Sequence, residues 1–218
     1  MICGFGAIIE THGALIQGMW GNDRFNQGVL LGVIQSPTEE LTDQRLDVSM
    51  RGAIVYGGPC LQAKILKIAE ELPLRGLVVS SLAPELVEQA ELMSIPVVVV
   101  EGFGKIPYCS AAFKILSTSD KRDVCLKASR NNPFAGEYPE VILPLNAIGE
   151  NLADAVEIQA GQTVRIVGAP ANGCIGVIVQ IRPGTTHLPN GLITPAANIR
   201  LENNEIVTIP LANLDIIQ

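Results

Sequence analysis

Clustered positive charge is missing from this sequence. The chain has 15 Lys and Arg residues against 22 Asp and Glu residues, and residues 149–218 contain no aromatic side chain. Nucleic-acid backbones are held by clustered cations, and single strands also by stacked aromatic rings. The composition therefore argues against nucleic-acid binding. Charged residues make up only 17% of the chain, which predicts that other copies or partner proteins cover part of its surface.

Paired cysteines are also missing. The five cysteines are dispersed and none belongs to a C-x-x-C pair, so we expect neither a disulfide framework nor a zinc site. They are Cys3, Cys60, Cys109, Cys125 and Cys174. We interpret them as small core residues in a reducing compartment. No secretory leader is visible after Met1, so the expected location is the cytoplasm.

Long apolar runs and cofactor motifs are lacking as well. The clearest apolar run covers residues 95–100, whereas a membrane-spanning helix needs roughly 20 residues. Gly102 and Gly104 are followed by Pro107, where a dinucleotide fingerprint has its third glycine, and no phosphate-binding G-x-x-x-x-G-K motif occurs. We therefore expect no membrane association and no cofactor.

Histidine is scarce. His12 precedes Gly13, and His187 lies close to the turn residues 189–191. Acid–base chemistry by histidine would have to use one of these two residues, and no nucleophile is evident near either. We interpret both as solvated turn residues. No His, Cys and carboxylate set has the spacing of metal ligands.

The middle third of the chain alternates between strand-like and helix-like patterns. Strands are predicted near 53–56, 76–79 and 96–100, and helices near 61–72, 84–93 and 109–116. The third strand is apolar without alternation, which is typical of a parallel sheet covered on both faces. Further strands are predicted near 122–126 and 141–145. The pattern predicts an α/β fold around a small parallel βαβ sheet.

Two β-rich segments flank this region. Short apolar stretches broken by glycine predict strands in residues 1–48, and a polar connector at 35–47 follows them. From residue 160 onward, short strand-like runs are separated by Gly, Pro and Asn. We therefore predict three parts: a β-rich N-terminal segment at 1–48, an α/β domain at 49–148, and a small β-barrel at 149–218.

The C-terminal segment carries a recognisable motif. Residues 161–166 form a strand-like run, Gly168-Ala169-Pro170 follows, and Gly173-Cys174-Ile175-Gly176 comes next. This stretch resembles a KOW motif, which opens an SH3-like barrel in transcription elongation factors and ribosomal proteins. The resemblance implies an SH3-like, KOW-type fold. The segment holds only Arg165, Arg182 and Arg200 as cations, so a protein-contacting or structural barrel is favoured, with ribosome or transcription-complex association as an alternative.

The whole chain resembles a group of bacterial proteins with a KOW-like C-terminus. The similarity lies in residues 11–22, 101–104 and 210–214. No activity comes with that group, so the resemblance supplies no catalytic residues. Its members carry further sequence upstream, which leaves open that this chain is a shortened form.

One end of the predicted parallel sheet is a candidate ligand site. Ligands of open α/β sheets bind at the carboxyl ends of the strands, where helix N-termini offer N–H groups. The candidate residues at these ends are Gly57, Gly58, Ser80, Ser81, Glu101, Gly102 and Gly104. A small anion or carboxylate would suit them. The alternative is that the glycines make turns and the serines satisfy helix starts. Cys109 near a helix start is interpreted as a buried small residue.

Two functional hypotheses follow. The first is a non-catalytic binding or scaffold protein that forms a homo-oligomer or binds protein partners, with Trp20 as a candidate partner contact. Its expected route is pairing of unshielded strand edges near residue 2. The second is an α/β domain that binds a small ligand, as a sensor or an enzyme of unrecognised type, with Glu101 as its only obvious acid or base. The missing catalytic constellation favours the first hypothesis.

Overall fold

Residues 2–3, 6–7, 13–132, 136–144, 158–168 and 171–217 are described by the computed structural model. The chain divides into two units, Met1–Glu150 and Asn151–Gln218. The strands of the first unit are β1 (Ile2–Cys3), β2 (Gly6–Ala7), β3 (Gly13–Gln17), β4 (Trp20–Gly21), β5 (Phe25–Gly32), β6 (Ile54–Gly57), β7 (Gly76–Leu82), β8 (Val97–Phe103), β9 (Asp123–Lys127) and β10 (Glu140–Pro144). Its α-helices are α1 (Ala63–Glu71), α2 (Val87–Leu92) and α3 (Ser110–Thr118). None of the helices in the described ranges is long and apolar enough to cross a membrane.

The middle of the first unit has the predicted α/β alternation. β6 pairs with β7 and β7 with β8, both in parallel, and a helical segment lies between each pair of strands. Every residue of β7 is buried, as are all but the last of β8. In α1, Ile65, Leu66 and Ala69 form the buried stripe. The continuous apolar runs and the helical stripe in the sequence were therefore sufficient to predict the strands and helices of this region.

The N-terminal segment is not a separate part, and here the prediction of a division at residue 48 is wrong. β3 pairs with β10, β4 with β8, and β5 with both β9 and β6. Residues 13–32 therefore supply strands to the same eight-stranded sheet as β6, β7 and β8. Their alternating apolar residues, such as Ile16 and Leu30, are buried with the rest of the core. The polar connector that follows holds a short 3-10 turn at Asp43–Arg45, and a second one at Val48–Met50 comes directly after it.

The two ends of this sheet are joined by the chain itself. β3 and β4 are the outermost strands, yet only Gly18 and Met19 separate them in sequence. The N–H of Gly18 donates to the carbonyl oxygen of Pro139 at 2.8 Å, and the N–H of Met19 donates to that of Val99 at 2.8 Å. The sheet therefore closes on itself through residues 13–21. The expectation of unshielded strand edges near residue 2 concerns β1, which pairs with β2 in a separate two-stranded sheet, and it stays a prediction.

Glycine makes this closure possible. A Cβ atom on Gly21 would lie 2.4 Å from the carbonyl oxygen of Ala128, and one on Gly18 would lie 2.8 Å from that of Val99. Both contacts are with backbone, which cannot move aside as a flexible side chain can. Close approach of backbones is therefore the reason for glycine at these two positions.

The second unit is built from antiparallel strands. These are β11 (Thr163–Ile166), β12 (Ile175–Ile181), β13 (Thr186–His187), β14 (Ile193–Thr194), β15 (Ala196–Leu201), β16 (Ile206–Pro210) and β17 (Leu214–Ile216). Five of them form a sheet in the order β16-β15-β12-β11-β17, and β13 and β14 form a separate hairpin. Its core contains Val164, Ile166, Ile178, Ile199 and Ile209. A 3-10 turn at Leu211–Asn213 leads from β16 into β17.

Candidate functional site

The carboxyl ends of β7 and β8 meet at a β-bulge. The pairing runs from Val79↔Val99 to Ser81↔Gly102, so β8 holds one extra residue here. The hydroxyl of Ser80 donates to the carbonyl oxygen of Ile106 at 2.8 Å, and the N–H of Ile106 donates to Ser81 Oγ at 3.0 Å. Two candidate ligand residues therefore hold the loop after β8 through a single residue of its main chain.

Glu101 has a similar role on β8. Its side chain is buried, and Oε1 accepts a hydrogen bond from the N–H of Cys109 at 2.8 Å. Cys109 is in turn the N-cap of α3, where its Sγ accepts from the N–H of Ala112 at 3.5 Å. The carboxylate thus links the end of β8 to the start of α3.

A buried tyrosine lies in the same loop. The side-chain hydroxyl of Tyr108 donates to the carbonyl oxygen of Val78 at 3.2 Å, and the backbone N–H of Tyr108 donates to the carbonyl oxygen of Pro37 at 3.3 Å. Burial, and then the neighbouring Glu101 and Tyr56, raise the pKa of Tyr108 well above its ordinary value. Its phenol is therefore neutral at physiological pH and acts as a hydrogen-bond donor.

The candidate glycines at the end of β6 are covered by the connector. A Cβ on Gly58 would lie 1.8 Å from the carbonyl oxygen of Glu39, and one on Gly57 would lie 2.8 Å from Cδ1 of Leu41. Leu41 is buried, and its N–H donates to the carbonyl oxygen of Pro59 at 3.1 Å. These glycines therefore admit close contact with the chain's own backbone and side chains.

The predicted ligand residues thus come together at one end of the sheet, but their observed contacts are internal. The polar side chains of Ser80, Ser81 and Glu101 fasten the loop at 104–109. Gly102, at the bulge in β8, and Gly104, in the loop after it, have φ of 129° and 104°, which favours glycine at both positions. The geometry favours the structural interpretation of this set, and a small-anion site here stays a prediction.

Cysteine and histidine are further reactive residue types of this chain. Burial raises the pKa of the Cys60 thiol to about 12, so it remains protonated at neutral pH and is a poor nucleophile. His187 is exposed in β13, and His12 lies outside the described residues. Within the described ranges, no group of three or more His, Cys, Asp and Glu side chains could hold a metal ion.

Trp20, the candidate partner contact, lies where the sheet closes. It is half-buried and pairs with Val99 of β8. The adjacent Met19 carbonyl oxygen accepts a hydrogen bond from Asn131 Nδ2 at 3.2 Å. Its role in binding a partner stays a prediction.

A different surface was not anticipated from the sequence. It is the outward side of the antiparallel strands β3, β10, β9 and β5, which we call the outer face. Register partners on it form a first row, Gln17–Glu140–Lys127–Phe25, a middle row, Leu15–Ile142–Cys125–Gln27, and a third row made of the pairs Gly13–Pro144 and Asp123–Val29. Of the intervening residues, Ile16, Val141 and Leu126 are buried in the core.

The outer face exposes apolar side chains. Phe25 is 63% exposed, Val29 42% and Leu15 40%, while Ile142 and Cys125 are half-buried. Lys127 Nζ lies 3.4 Å from Glu140 Oε2, and Asp123 stands at the other end of β9. The face therefore combines an apolar middle with charges of both signs. The alternation of exposed and buried residues along each strand is visible in the sequence. Only the pairing of four segments that are distant in the chain shows that their exposed residues form one face.

Comparison with known proteins gives no relative: no family model, curated protein or solved structure matches the chain.

Proposed function

We propose that this protein is a non-catalytic binding or scaffold protein that acts through self-association. The observation that carries the proposal is the outer face, an exposed antiparallel sheet surface with Phe25, Val29 and Leu15 open to solvent. Exposed apolar side chains that share one face of a sheet can mark a protein-interaction site, although here Gln27 separates Phe25 from Val29 along β5 and Leu15 lies three strands away on β3. Because the sheet closes on itself through residues 13–21, association through this face is favoured over strand addition at its edge.

The alternative of a small-ligand domain has weaker support. Its candidate residues are engaged by the loop at 104–109 and the connector, as described above. Ser80, Ser81 and Glu101 make hydrogen bonds to the protein's own backbone. We therefore favour the binding or scaffold role over a small-ligand site or an enzyme.

The second unit is proposed to be an SH3-like barrel of the KOW type, within the bacterial group that the sequence resembles. Support comes from the strand order, because the last strand, β17, returns to pair with β11, the first strand of the unit. A bulge in β12 between Ile178 and Gln180 bends that strand, as small barrels require. Arg165 Nη2 lies 2.9 Å from Asp215 Oδ2, so one of the few cations here is already neutralised. This favours a protein-contacting role over one in binding RNA.

A cytoplasmic location is part of the proposal. Cys60, Cys109, Cys125 and Cys174 are free thiols, and free thiols suit a reducing compartment.

The test is the molar mass of the purified chain, measured by light scattering behind size exclusion at tens of micromolar. We expect a species larger than the 23.2 kDa chain, and we expect Phe25→Gln to shift it toward the monomer. Leu92→Gln is the matched control, because Leu92 is 78% exposed on α2, outside the outer face, and it should leave the mass unchanged. A wild-type monomer at this concentration would overturn the proposed function.

A further inference from the structure

We propose that two copies pack outer face on outer face about a two-fold axis that crosses β9 at Cys125, so that Lys127 of each copy meets Asp123 of the other. This inference rests on the proposed function and deepens it by naming the partner, a second copy, and the register of contact. It is carried by the charge and apolar pattern of the outer face.

The charges on β9 are symmetric in position and opposite in sign about Cys125. Asp123 lies two residues before Cys125 and Lys127 two residues after it, and all three side chains are on the outer face. At about 3.4 Å per strand residue, each charge stands about 7 Å from the centre. Consider a two-fold axis that lies in the plane between the two sheets and runs perpendicular to β9. It places Lys127 of each copy over Asp123 of the other copy. Each dimer would therefore contain two Lys127–Asp123 contacts.

The same axis matches the neighbouring strands. On β5 it passes near Gln27 and brings Phe25 over Val29 of the second copy, so that two exposed apolar residues cover each other. On β10 and β3 it brings Ile142 over Ile142 and Leu15 over Leu15, because both belong to the middle row with Cys125. Glu140 meets Pro144, so no two like charges lie directly opposite each other, and Lys127 stands between Glu140 of its own copy and Asp123 of the second.

The other simple two-fold arrangement is disfavoured by charge. An axis along β9 would bring Lys127 over Lys127 and Asp123 over Asp123, and juxtaposed like charges oppose association. Aligned sheets pack about 10 Å apart, a gap that a lysine side chain can bridge. Closed two-fold assembly with a self-complementary patch is also the commonest form of homo-oligomer. A second copy in the perpendicular orientation is thus the occupant that fits.

The experiment is a charge swap read by sedimentation velocity. Lys127→Asp places a carboxylate opposite Asp123 of the second copy, and Asp123→Lys places an ammonium group opposite Lys127. Each variant alone should therefore dimerise at least about tenfold more weakly than wild type. An equimolar mixture of the two variants should form a heterodimer, because the introduced aspartate then meets the introduced lysine while the native pair remains at the second contact. The combined variant Lys127→Asp/Asp123→Lys restores both contacts between copies and should dimerise more tightly than either single variant, although it loses the Lys127–Glu140 pair within each copy.

Matched controls separate register from general charge effects. Lys64→Asp on α1 and Glu88→Lys on α2 change charge to the same extent at positions outside the outer face, and both should leave the dimer intact. Circular dichroism melts confirm that every variant is folded. Folded single variants that still dimerise like wild type, or a mixture that fails to recover the dimer, would overturn the inference.

The proposed function can survive that failure. A wild-type dimer that is weakened by Phe25→Gln but insensitive to the charge swap would overturn the register while leaving self-association through the outer face. A wild-type monomer would overturn both.

Discussion

The carboxylate of Glu101 accepts a hydrogen bond from the backbone N–H of Cys109 at 2.8 Å, with both residues buried. This contact joins the end of a central parallel strand to the first residue before α3. Glu101 is a buried acid at the end of the sheet where a ligand was expected, and this hydrogen bond gives it a structural role. A carboxylate in this position resembles a catalytic group in sequence but acts here as an acceptor for a helix start.

Removal of this acceptor should therefore lower stability. We expect Glu101→Ala to reduce the free energy of unfolding by about 1–3 kcal/mol, because it leaves the buried N–H of Cys109 without this partner. Glu101→Gln keeps an oxygen at the same position and should lose less. Urea unfolding of the two variants, with Glu88→Ala on α2 as the control, measures the difference. Equal stability of wild type and Glu101→Ala would contradict this role.

A second prediction concerns the closure of the sheet at Gly21. Gly21→Ala would drive a Cβ against the backbone of Ala128, with its carbonyl oxygen 2.4 Å away. Relief requires a backbone shift at the point where β4 meets the rest of the sheet, so we expect a loss of roughly 1–3 kcal/mol or more. Thermal and urea unfolding both report it.

Gly28→Ala is the matched control for that substitution. Its Cβ would lie 3.2 Å from Cδ of Arg75, the flexible part of an exposed side chain. The side chain can move, so the cost should be clearly smaller than at Gly21. Similar losses at the two positions would argue against the backbone contact as the cause.

The sequence predicted the local parts of this fold well and the distant pairings poorly. β6, β7 and β8 have apolar runs that identify buried parallel strands, and α1 shows its stripe within a few turns of chain. Closure of the sheet depends on Gly18 bonding to Pro139 and Met19 bonding to Val99. Such contacts join segments that are far apart in the chain, and no local pattern reports them.

The candidate site shows the same limit. Ser80, Ser81 and Glu101 were correctly placed at strand ends, yet the atoms that they bind belong to Ile106 and Cys109 in a loop with no regular pattern. Whether a polar group serves a ligand or its own loop depends on that loop's path. The outer face was missed because each of its strands is ordinary by itself, and only the register places Phe25 beside Lys127.

A third prediction is weak nucleic-acid binding. The net charge is −7, and the second unit has no aromatic side chain on which a base could stack. We expect no saturable binding of a single-stranded RNA at micromolar protein and physiological salt, measured by fluorescence anisotropy. Submicromolar affinity would contradict the protein-contacting role of the second unit and support association with a ribosome or transcription complex.

The last prediction is a loss of stability at high pH through Cys60. Burial raises the pKa of its thiol from 9.0 to about 12. In the unfolded chain the thiol ionises near its ordinary value, so above pH 9 the folded state holds a proton that the unfolded state has released. The contribution of Cys60 to stability is therefore full below pH 9 and is lost as the pH rises toward 12. Between these two pH values, the free energy of unfolding falls by an amount that approaches about 1.4 kcal/mol per pH unit through Cys60.

Cys60→Ala isolates that contribution. Urea unfolding at several values between pH 8 and 11 should show the wild type losing stability faster than Cys60→Ala, even though the variant starts lower because a buried side chain has been shortened. Tyr108 and Cys125, whose pKa values are also raised by burial, contribute equally to both proteins and cancel in the difference. Cys174→Ala, which removes an exposed thiol, is the matched cysteine-to-alanine control. Parallel curves for wild type and Cys60→Ala would show that the Cys60 thiol titrates alike in the folded and unfolded chains, against the burial seen beside the end of β7.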